Sequence, residues 1–429
     1  MLALLLALQG VVSPPPQDSL PQVTLTEALQ RGAQLDPLYV AALGQVDNAV
    51  WARRSAFSVF VLPSINLSTT ATRNTPRFFN FGTLQPEKYA VQATVSASYD
   101  LFTGGQKFAE LSRSGAALAS AHAGELQQRF ATALLIEFDY YNVLAAGELD
   151  RVARDRLRRA REQLTVARAR VSSGAAVSTD SLTLRLEMNR AQVAQLKQAT
   201  VLRVSRLELG RRIGAAGPVD AAPLDSTPAP ELPISLADAI TQAADQGPSY
   251  RIAAADERAA AAVYRSSLGA YLPHATLTWA GIGFDNRFLP TGAKFSQLSL
   301  GVTFPLWDNL RRETTVSQAR VRRDVARAIR DDMTRAVQHD VTAAYDAYMT
   351  SRATVDLAVE GVAIARESFR VQQTRYSSGA TTILDLLEAE VNLSQAEADL
   401  VQARYGWRLA LSGFESILGK RLFTDKGNQ

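Results

Sequence analysis

The sequence predicts an internally duplicated α+β membrane protein, built from long antiparallel helical hairpins and four amphipathic strands per chain. Three observations predict this fold class: a repeat, two regions in which apolar and polar residues alternate, and two long helical runs without proline. The repeat is clearest where RVSSGAAVSTD at Arg170 recurs as RYSSGATTILD at Arg375, at an offset of 205 residues. The same offset pairs Asp180 with Asp385, so the chain contains two copies of one unit.

The two copies divide the chain into five predicted segments. Residues 1–17 contain a short apolar stretch followed by prolines, which is typical of a signal peptide. The remaining segments are a first repeat at 18–214, a proline-rich linker at 215–234, a second repeat at 235–420 and a C-terminal tail at 421–429. Five prolines in the linker exclude a helix there.

Each repeat is predicted to contain the same elements in the same order. A helix opens at a capping box, Thr24 with Glu27 in the first repeat and Ser235 with Asp238 in the second. A β-hairpin and then a long helical hairpin follow. The β-hairpins are predicted at about 63–102 and 273–307, and the helical hairpins at about 105–214 and 308–419.

Strict alternation of apolar and polar residues predicts the strands. In YAVQATVSASYDLF, the apolar residues from Val91 to Leu101 fall on one face and the polar residues on the other. Strands of about nine to twelve residues leave loops at Thr72–Lys88 and Phe284–Lys294. Three aromatic residues would lie in the first loop, as a membrane-interface girdle or as loop packing: Phe78, Phe79 and Phe81.

Four strands of this kind cannot close a barrel, since closed membrane barrels have about eight or more. An open sheet would leave exposed edges. Strands with one lipid-like face and one polar face therefore predict a barrel that several subunits complete. The alternative is a structural one: a non-conducting periplasmic or surface coiled-coil scaffold, in which the long helices associate without forming a pore.

The duplicated phrase is predicted to be the bend between two long antiparallel helices. Gly174 and Gly379 suit the left-handed conformation that ends a helix. Asp180 and Asp385 suit the first turn of the helix that follows, because a carboxylate there interacts favourably with the helix dipole.

The order, duplication and spacing of these segments resemble the TolC-like outer-membrane efflux protein family. The matching motifs are TLTEAL at Thr24, LFTGG at Leu101, PLWDN at Pro305, ILGKR at Ile417 and the two SSGA turns. The resemblance implies a homotrimer whose strands form one twelve-stranded barrel in the outer membrane and whose helices form a periplasmic α-barrel. Such a channel-tunnel exports small molecules or proteins within a tripartite efflux or secretion complex.

The resemblance also implies partners and a place for the two turns. The partners are a periplasmic adaptor protein, an inner-membrane transporter of RND, ABC or MFS type, and the lipid of the outer membrane. The residues implied in adaptor docking at the periplasmic tip are Gly174, Thr179, Asp180, Gly379 and Thr381. The residues implied in the constriction of the tunnel entrance are Tyr376, Asp385 and Glu388.

This chain departs from the family pattern at Thr381, where the pattern has an arginine that locks onto the position of Asp180. We therefore expect closure to rest on hydrogen bonds of the Tyr376 hydroxyl and on Asp385 and Glu388. On spacing alone, those two carboxylates in a first helical turn favour helix capping over ion gating.

The composition excludes other classes of function. Lysine and arginine (46) interleave with aspartate and glutamate (42), without the basic, aromatic block typical of nucleic-acid binding. Cysteine is absent and the three histidines are isolated, so no disulfide and no metal site are expected. No nucleophile or phosphate-binding motif occurs, so neither an enzyme nor a cofactor is predicted. The sequence does not identify the exported substrate.

Overall fold

The computed structural model describes residues 20–80, 84–224, 229–285 and 294–423. The predicted signal peptide and Phe81 lie outside these ranges, as do parts of the predicted linker, the second predicted loop and the C-terminal tail.

The described chain forms two compact units, and each takes segments from both repeats. The turn unit consists of the described parts of Met1–Pro37, Ala131–Glu231 and Asp346–Gly413. The sheet unit consists of the described parts of Leu38–Phe130, Leu232–Tyr345 and Phe414–Gln429. These two compact units do not coincide with the two sequence repeats. The predicted boundaries of the repeats remain a prediction.

The elements follow each other in the same order in both repeats. In the first repeat they are β1 (Gln22–Val23), α1 (Leu25–Leu35), α2 (Pro37–Val61), β2 (Ser64–Asn80), β3 (Gln85–Thr103), α3 (Gln106–Ser172) and α4 (Ser178–Arg212). After β4 (Asp220–Ala221), the second repeat contains α5 (Leu236–Gln246), α6 (Pro248–Leu268), β5 (His274–Asp285), β6 (Lys294–Thr303), α7 (Arg311–Ser377) and α8 (Ile383–Leu418).

The predicted capping interactions start the first helix of each repeat. The Thr24 hydroxyl accepts a hydrogen bond from the backbone N–H of Glu27 at 3.3 Å. The Ser235 hydroxyl accepts one from the backbone N–H of Asp238 at 3.2 Å. A proline then begins the next helix in both repeats, because proline fits the first helical turn but interrupts a helix interior.

A four-stranded antiparallel sheet lies in the sheet unit, in the order β2-β3-β5-β6. Its register places the apolar residues on one face, because directly opposed residues point to the same side. Leu67 opposes Val95 across β2 and β3. Trp279 opposes Leu298 across β5 and β6. The alternation read from the sequence therefore describes one continuous apolar face.

The first β-hairpin is longer than predicted. β2 has 17 residues and β3 has 19, so most of the predicted loop Thr72–Lys88 belongs to strands. Phe78 and Phe79 accordingly lie in β2, and their placement in a loop was wrong. The register shifts between Arg73 and Phe78, beside a proline that cannot donate a ladder hydrogen bond. Pairing resumes beyond this irregularity.

The long helices α3 and α7 have 67 residues each and end at the duplicated turns. In the turn unit α3 and α4 pack against each other, with Leu157 and Ala160 meeting Ala191 in one buried cluster. Leu164 and Leu184 meet in a second cluster, against which Leu387 of α8 packs. Among the described residues, no helix has the length and apolarity needed to cross a membrane.

Each unit has its own buried core. In the turn unit Tyr140 is fully buried, and its hydroxyl donates to the carbonyl oxygen of Ala222 at 2.8 Å. Burial raises the pKa of Tyr140 to about 12. In the sheet unit, Phe414 and Leu418 at the end of α8 pack against Ala239 and Ala243 of α5.

Candidate functional site: the paired helical turns

The first duplicated turn ends α3 with a Schellman motif. Gly174 adopts φ +73°, which glycine tolerates and side-chain-bearing residues rarely adopt. Its N–H donates to the carbonyl of Val171 at 3.1 Å, and the N–H of Ala175 donates to the carbonyl of Arg170 at 2.8 Å. The structure thus confirms the predicted helix-ending role of this glycine.

The second turn reproduces the first at the end of α7. Gly379 adopts φ +80°. Its N–H donates to the carbonyl of Tyr376 at 3.1 Å, and the N–H of Ala380 donates to the carbonyl of Arg375 at 2.8 Å. The repeated sequence therefore encodes the same hydrogen bonds twice.

Asp385 caps α8 through a reciprocal arrangement with Thr382. Its backbone N–H donates to the Thr382 hydroxyl at 3.3 Å, and its carboxylate accepts the backbone N–H of Thr382 at 3.1 Å. The hydroxyls of Thr381 and Thr382 each donate to the same carboxylate oxygen at 2.7 Å. These hydrogen bonds lower the pKa of Asp385, and the bond from Thr381 has the largest effect. The structure therefore confirms that Asp385 caps α8. A role for Asp385 at the tunnel entrance remains a prediction.

The other predicted residues lie close to the turns. Thr179 is exposed and Asp180 is half-buried in the first turn of α4. Glu388 is exposed on α8, one turn beyond Asp385. The structure therefore places the predicted carboxylates at the starts of the two returning helices.

Tyr376 joins the two turns through its aromatic ring and its backbone carbonyl, both of which contact Arg170. The residue is 3% exposed, and within the described chain its buried hydroxyl makes no hydrogen bond. Burial raises the pKa of Tyr376, and the nearby Asp180 carboxylate raises it further. The expectation that hydrogen bonds of the Tyr376 hydroxyl close the tunnel entrance stays a prediction, and the Asp180 carboxylate lies beside that hydroxyl.

Arg170 makes the contact between the turns that the sequence did not predict. Its guanidinium carbon lies 4.8 Å from the centroid of the Tyr376 ring, within cation–π range. One guanidinium nitrogen donates to the backbone carbonyl of Tyr376, and the other donates to the carbonyl of Ala175 at 3.3 Å. The equivalent Arg375 caps the carbonyl of Ala380 in its own turn at 3.5 Å. The duplicated arginines thus differ in their contacts.

A buried ion network lies further along the same helices. Glu390 of α8 is 1% exposed. Its carboxylate accepts hydrogen bonds from the Gln163 side chain at 2.6 Å and from the Arg159 guanidinium at 3.3 Å. Arg159 also donates to Glu397 at 3.5 Å. Burial raises the pKa of Glu390, although hydrogen bonds from Gln163 and the charge of Arg159 oppose that shift.

The sequence carried a signal for this network. Glu390 lies four residues after Leu386 and three before Leu393, both of which are buried. That helical spacing places a carboxylate on the apolar face of α8, where a charge requires a partner. The partners, Arg159 and Gln163, come from the first repeat, so only the fold brings them together.

A model of the family described as outer membrane efflux protein matches residues 54–215 and 239–420, which is most of the chain. The chain belongs to the outer membrane efflux protein family. No functionally curated protein matches the sequence. Membership confirms the predicted resemblance and assigns this family member to the outer membrane and to transport rather than to a class of enzymes.

Solved outer-membrane proteins share the fold at low sequence identity. The protein VceC of Vibrio cholerae superposes with a TM-score of 0.78 at 16% identity, covering 93% of this chain and 97% of that one. The CmeC channel of Campylobacter jejuni gives 0.78 at 16% identity, covering 94% and 87%. The open-state MtrE channel of Neisseria gonorrhoeae gives 0.75 at 18% identity, covering 94% and 91%. These matches confirm the predicted fold class.

Proposed function

We propose that this efflux family member is one subunit of a homotrimeric outer-membrane channel. The channel would export small molecules or proteins that reach it from the periplasm or from an inner-membrane pump. One observation carries the proposal: the sheet is open at both sides and exposes an apolar face. Leu67 on β2 is 74% exposed and Leu298 on β6 is 69% exposed.

The edges of the sheet explain why several subunits are needed. In the described chain, β2 pairs only with β3 and β6 pairs only with β5. Unpaired backbone groups are not tolerated against lipid, so these edges require partners within a membrane. Pairing β6 of one subunit with β2 of the next satisfies both edges, and three subunits then supply twelve strands, as a closed barrel requires.

The paired turns would form the periplasmic end of this assembly. We assign adaptor docking to the surface formed by Gly174, Thr179, Asp180, Gly379 and Thr381. We assign the entrance constriction to Tyr376, Asp385 and Glu388. The contact of Arg170 with Tyr376 supports closure there, because it fixes one turn against the other in the absence of an arginine at position 381. The adaptor would link the channel to an inner-membrane transporter.

Cysteine crosslinking across the proposed seam tests the assembly, and the natural chain has no competing thiol. Leu67→Cys on β2 is combined in turn with a cysteine at each β6 position from Phe295 to Val302. Where the β6 cysteine faces the β2 cysteine of the next subunit, oxidation should give a covalent trimer. The control pair is Ser98→Cys with Thr278→Cys, whose native hydroxyls lie 3.3 Å apart within one chain. This control pair should form a disulfide within a single chain and give no covalent dimer or trimer.

A conductance measurement separates a channel from a non-conducting scaffold. The channel should fractionate with the outer membrane, show heat-modifiable mobility on gels and conduct ions in planar bilayers. A folded monomer in detergent, or a trimer that never conducts, would contradict the proposal.

A further inference from the structure

Two cations terminate the apolar face of the sheet on its two edge strands. Arg73 opposes Tyr89, on the side that carries Leu67 and Val95. Lys294 opposes Gly283 on the same face of β6. Lys294 is the first residue of β6, whereas β2 continues beyond Arg73 to Asn80. Both residues lie on the side of the sheet away from the helices that follow Thr103 and Thr303.

The positions of the two cations match the height of a lipid layer. Arg73 lies eight residues beyond Ile65, and Lys294 lies eight residues before Val302. Eight residues span about 26 Å along a strand, or roughly 20 Å of height at the usual barrel tilt. The apolar band of outer-membrane barrels is about 25 Å tall. Both cations therefore fall near the exterior boundary of that band.

Neither cation is neutralised within the subunit. Arg73 and Lys294 are exposed, and neither side chain forms an ion pair or hydrogen bond with any residue that the structure describes. The carboxylates at this end lie on the inner strands instead. Glu87 of β3 accepts a hydrogen bond from Asn80 at 2.9 Å, and Asp285 ends β5. Of the described cations at this end, Arg73, Arg77 and Lys294 thus lie on the edge strands, and Lys88 lies on β3.

We propose that Arg73 and Lys294 of neighbouring subunits together bind the phosphate groups of outer-leaflet lipid headgroups at each seam. The inference rests on the proposed trimer, in which β6 of one subunit meets β2 of the next. Arginine binds phosphate through two parallel hydrogen bonds, and lysine adds a point charge. Tyr89 beside Arg73 suits the headgroup level, where aromatic side chains concentrate. The acyl chains of the same lipid would cover the apolar rows below.

This occupant is favoured over a protein partner because the two cations continue a lipid-facing surface. A headgroup phosphate attached to acyl chains satisfies the charges and the apolar residues at once. The complete site is expected only in the assembled trimer, with one Arg73 and one Lys294 at each of three seams.

The test is native mass spectrometry of the full-length trimer with a bis-phosphorylated glycolipid and with the same lipid lacking phosphate. The wild type should retain the phosphorylated lipid preferentially. The double variant Arg73→Gln/Lys294→Gln should lose about tenfold or more of that retention, since two charge-assisted contacts are removed. The control, Arg53→Gln/Arg322→Gln, removes equal charge from exposed helical positions of the sheet unit and should retain the lipid.

The experiment measures the formation of the trimer and the retention of lipid separately. A trimeric, heat-modifiable double variant with unchanged lipid retention would overturn the inference and leave the proposed channel intact. Absence of any wild-type trimer would overturn the proposed function itself. Arg73→Lys alone should keep partial retention, which guards against a folding defect. Displacement of the glycolipid by millimolar inorganic phosphate would mark a site for soluble anions and contradict the lipid assignment.

Discussion

Replacing Glu390 with glutamine should stabilise the turn unit at neutral pH, whereas replacing it with alanine should destabilise it. Alanine removes both hydrogen bonds of the buried carboxylate, from Gln163 and from Arg159. Bonds to charged groups contribute roughly 1.5–3 kcal/mol each, and Arg159 retains Glu397 as a partner. We therefore expect a loss of about 3 kcal/mol in the free energy of unfolding.

Glutamine at position 390 removes the buried charge and keeps one acceptor oxygen, which can serve Gln163 while Arg159 retains Glu397 as its partner. Its amide also supplies a donor for the Gln163 carbonyl oxygen, which is buried and has no hydrogen-bond partner in the described chain. The bond gained with Gln163 offsets the bond lost to Arg159, so the expected gain at neutral pH comes from removing the buried charge. We expect it to be on the order of 1 kcal/mol in the free energy of unfolding.

The sign of the pH dependence follows from the raised pKa of Glu390, whose ordinary value is 4.5. Because burial raises the pKa in the folded protein, the fold favours the neutral acid. The stability contributed by the neutral acid of Glu390 is therefore complete below pH 4.5, and this contribution is lost as the pH rises through the folded pKa. The glutamine variant lacks this contribution, so its advantage should grow between pH 4.5 and neutrality.

Thermal unfolding of the detergent-solubilised protein, followed by helical circular dichroism from pH 4 to pH 8, measures these differences. Glu388→Gln is the matched control, because Glu388 is exposed two residues away on the same helix and should show no such trend. A Glu390→Gln variant that is less stable than the wild type at pH 7 would refute the reasoning. It would mean that the ion pair with Arg159 outweighs the cost of burying the carboxylate.

Three further predictions concern the turns and the orientation of the chain. Arg170→Ala should loosen the contact between the turns by roughly 1.5–3 kcal/mol and raise single-channel conductance. Arg375→Ala should do neither, because in the described chain Arg375 donates a hydrogen bond within its own turn. Replacing Asp385 and Glu388 by alanine should weaken cation preference and divalent-ion block in planar bilayers, since rings of carboxylates favour cations; unchanged selectivity would restrict both residues to helix capping. A cysteine at Asn80, at the tip of the first hairpin, should be labelled by an impermeant reagent on intact cells, and labelling at the turns instead would reverse the orientation.

The repeat predicted the element order well because each local signal agreed with the fold. Capping residues, prolines and the two left-handed glycines act within a few residues of their own position, so one sequence suffices to locate them. The strand ends were less predictable. Alternation stops near Arg73, where Pro76 and nearby charges resemble a loop, yet pairing resumes at Phe78 after the register shift.

Local sequence patterns did not predict the contacts between the two repeats. Arg170 and Arg375 occupy equivalent places in the duplicated phrase, but only Arg170 crosses to the other turn. Glu390 was recognisable as a carboxylate on an apolar face, yet its partners lie more than 220 residues away in the chain. Such pairings depend on how α3 and α8 pack, which spacing along one helix does not determine.

The interleaving of the two units has a consequence for the way the newly made chain acquires its structure. Phe414 and Leu418, near the end of the described chain, complete the core of the sheet unit around Ala239 and Ala243. The sheet unit also pairs β3 of the first repeat with β5 of the second. A nascent chain therefore keeps apolar surface of this unit exposed until its last helix has been made. Assembly dominated by contacts between distant segments is slow and prone to aggregation. We therefore expect this protein to depend on chaperones that hold unfolded chains more than a protein whose domains fold in sequence order.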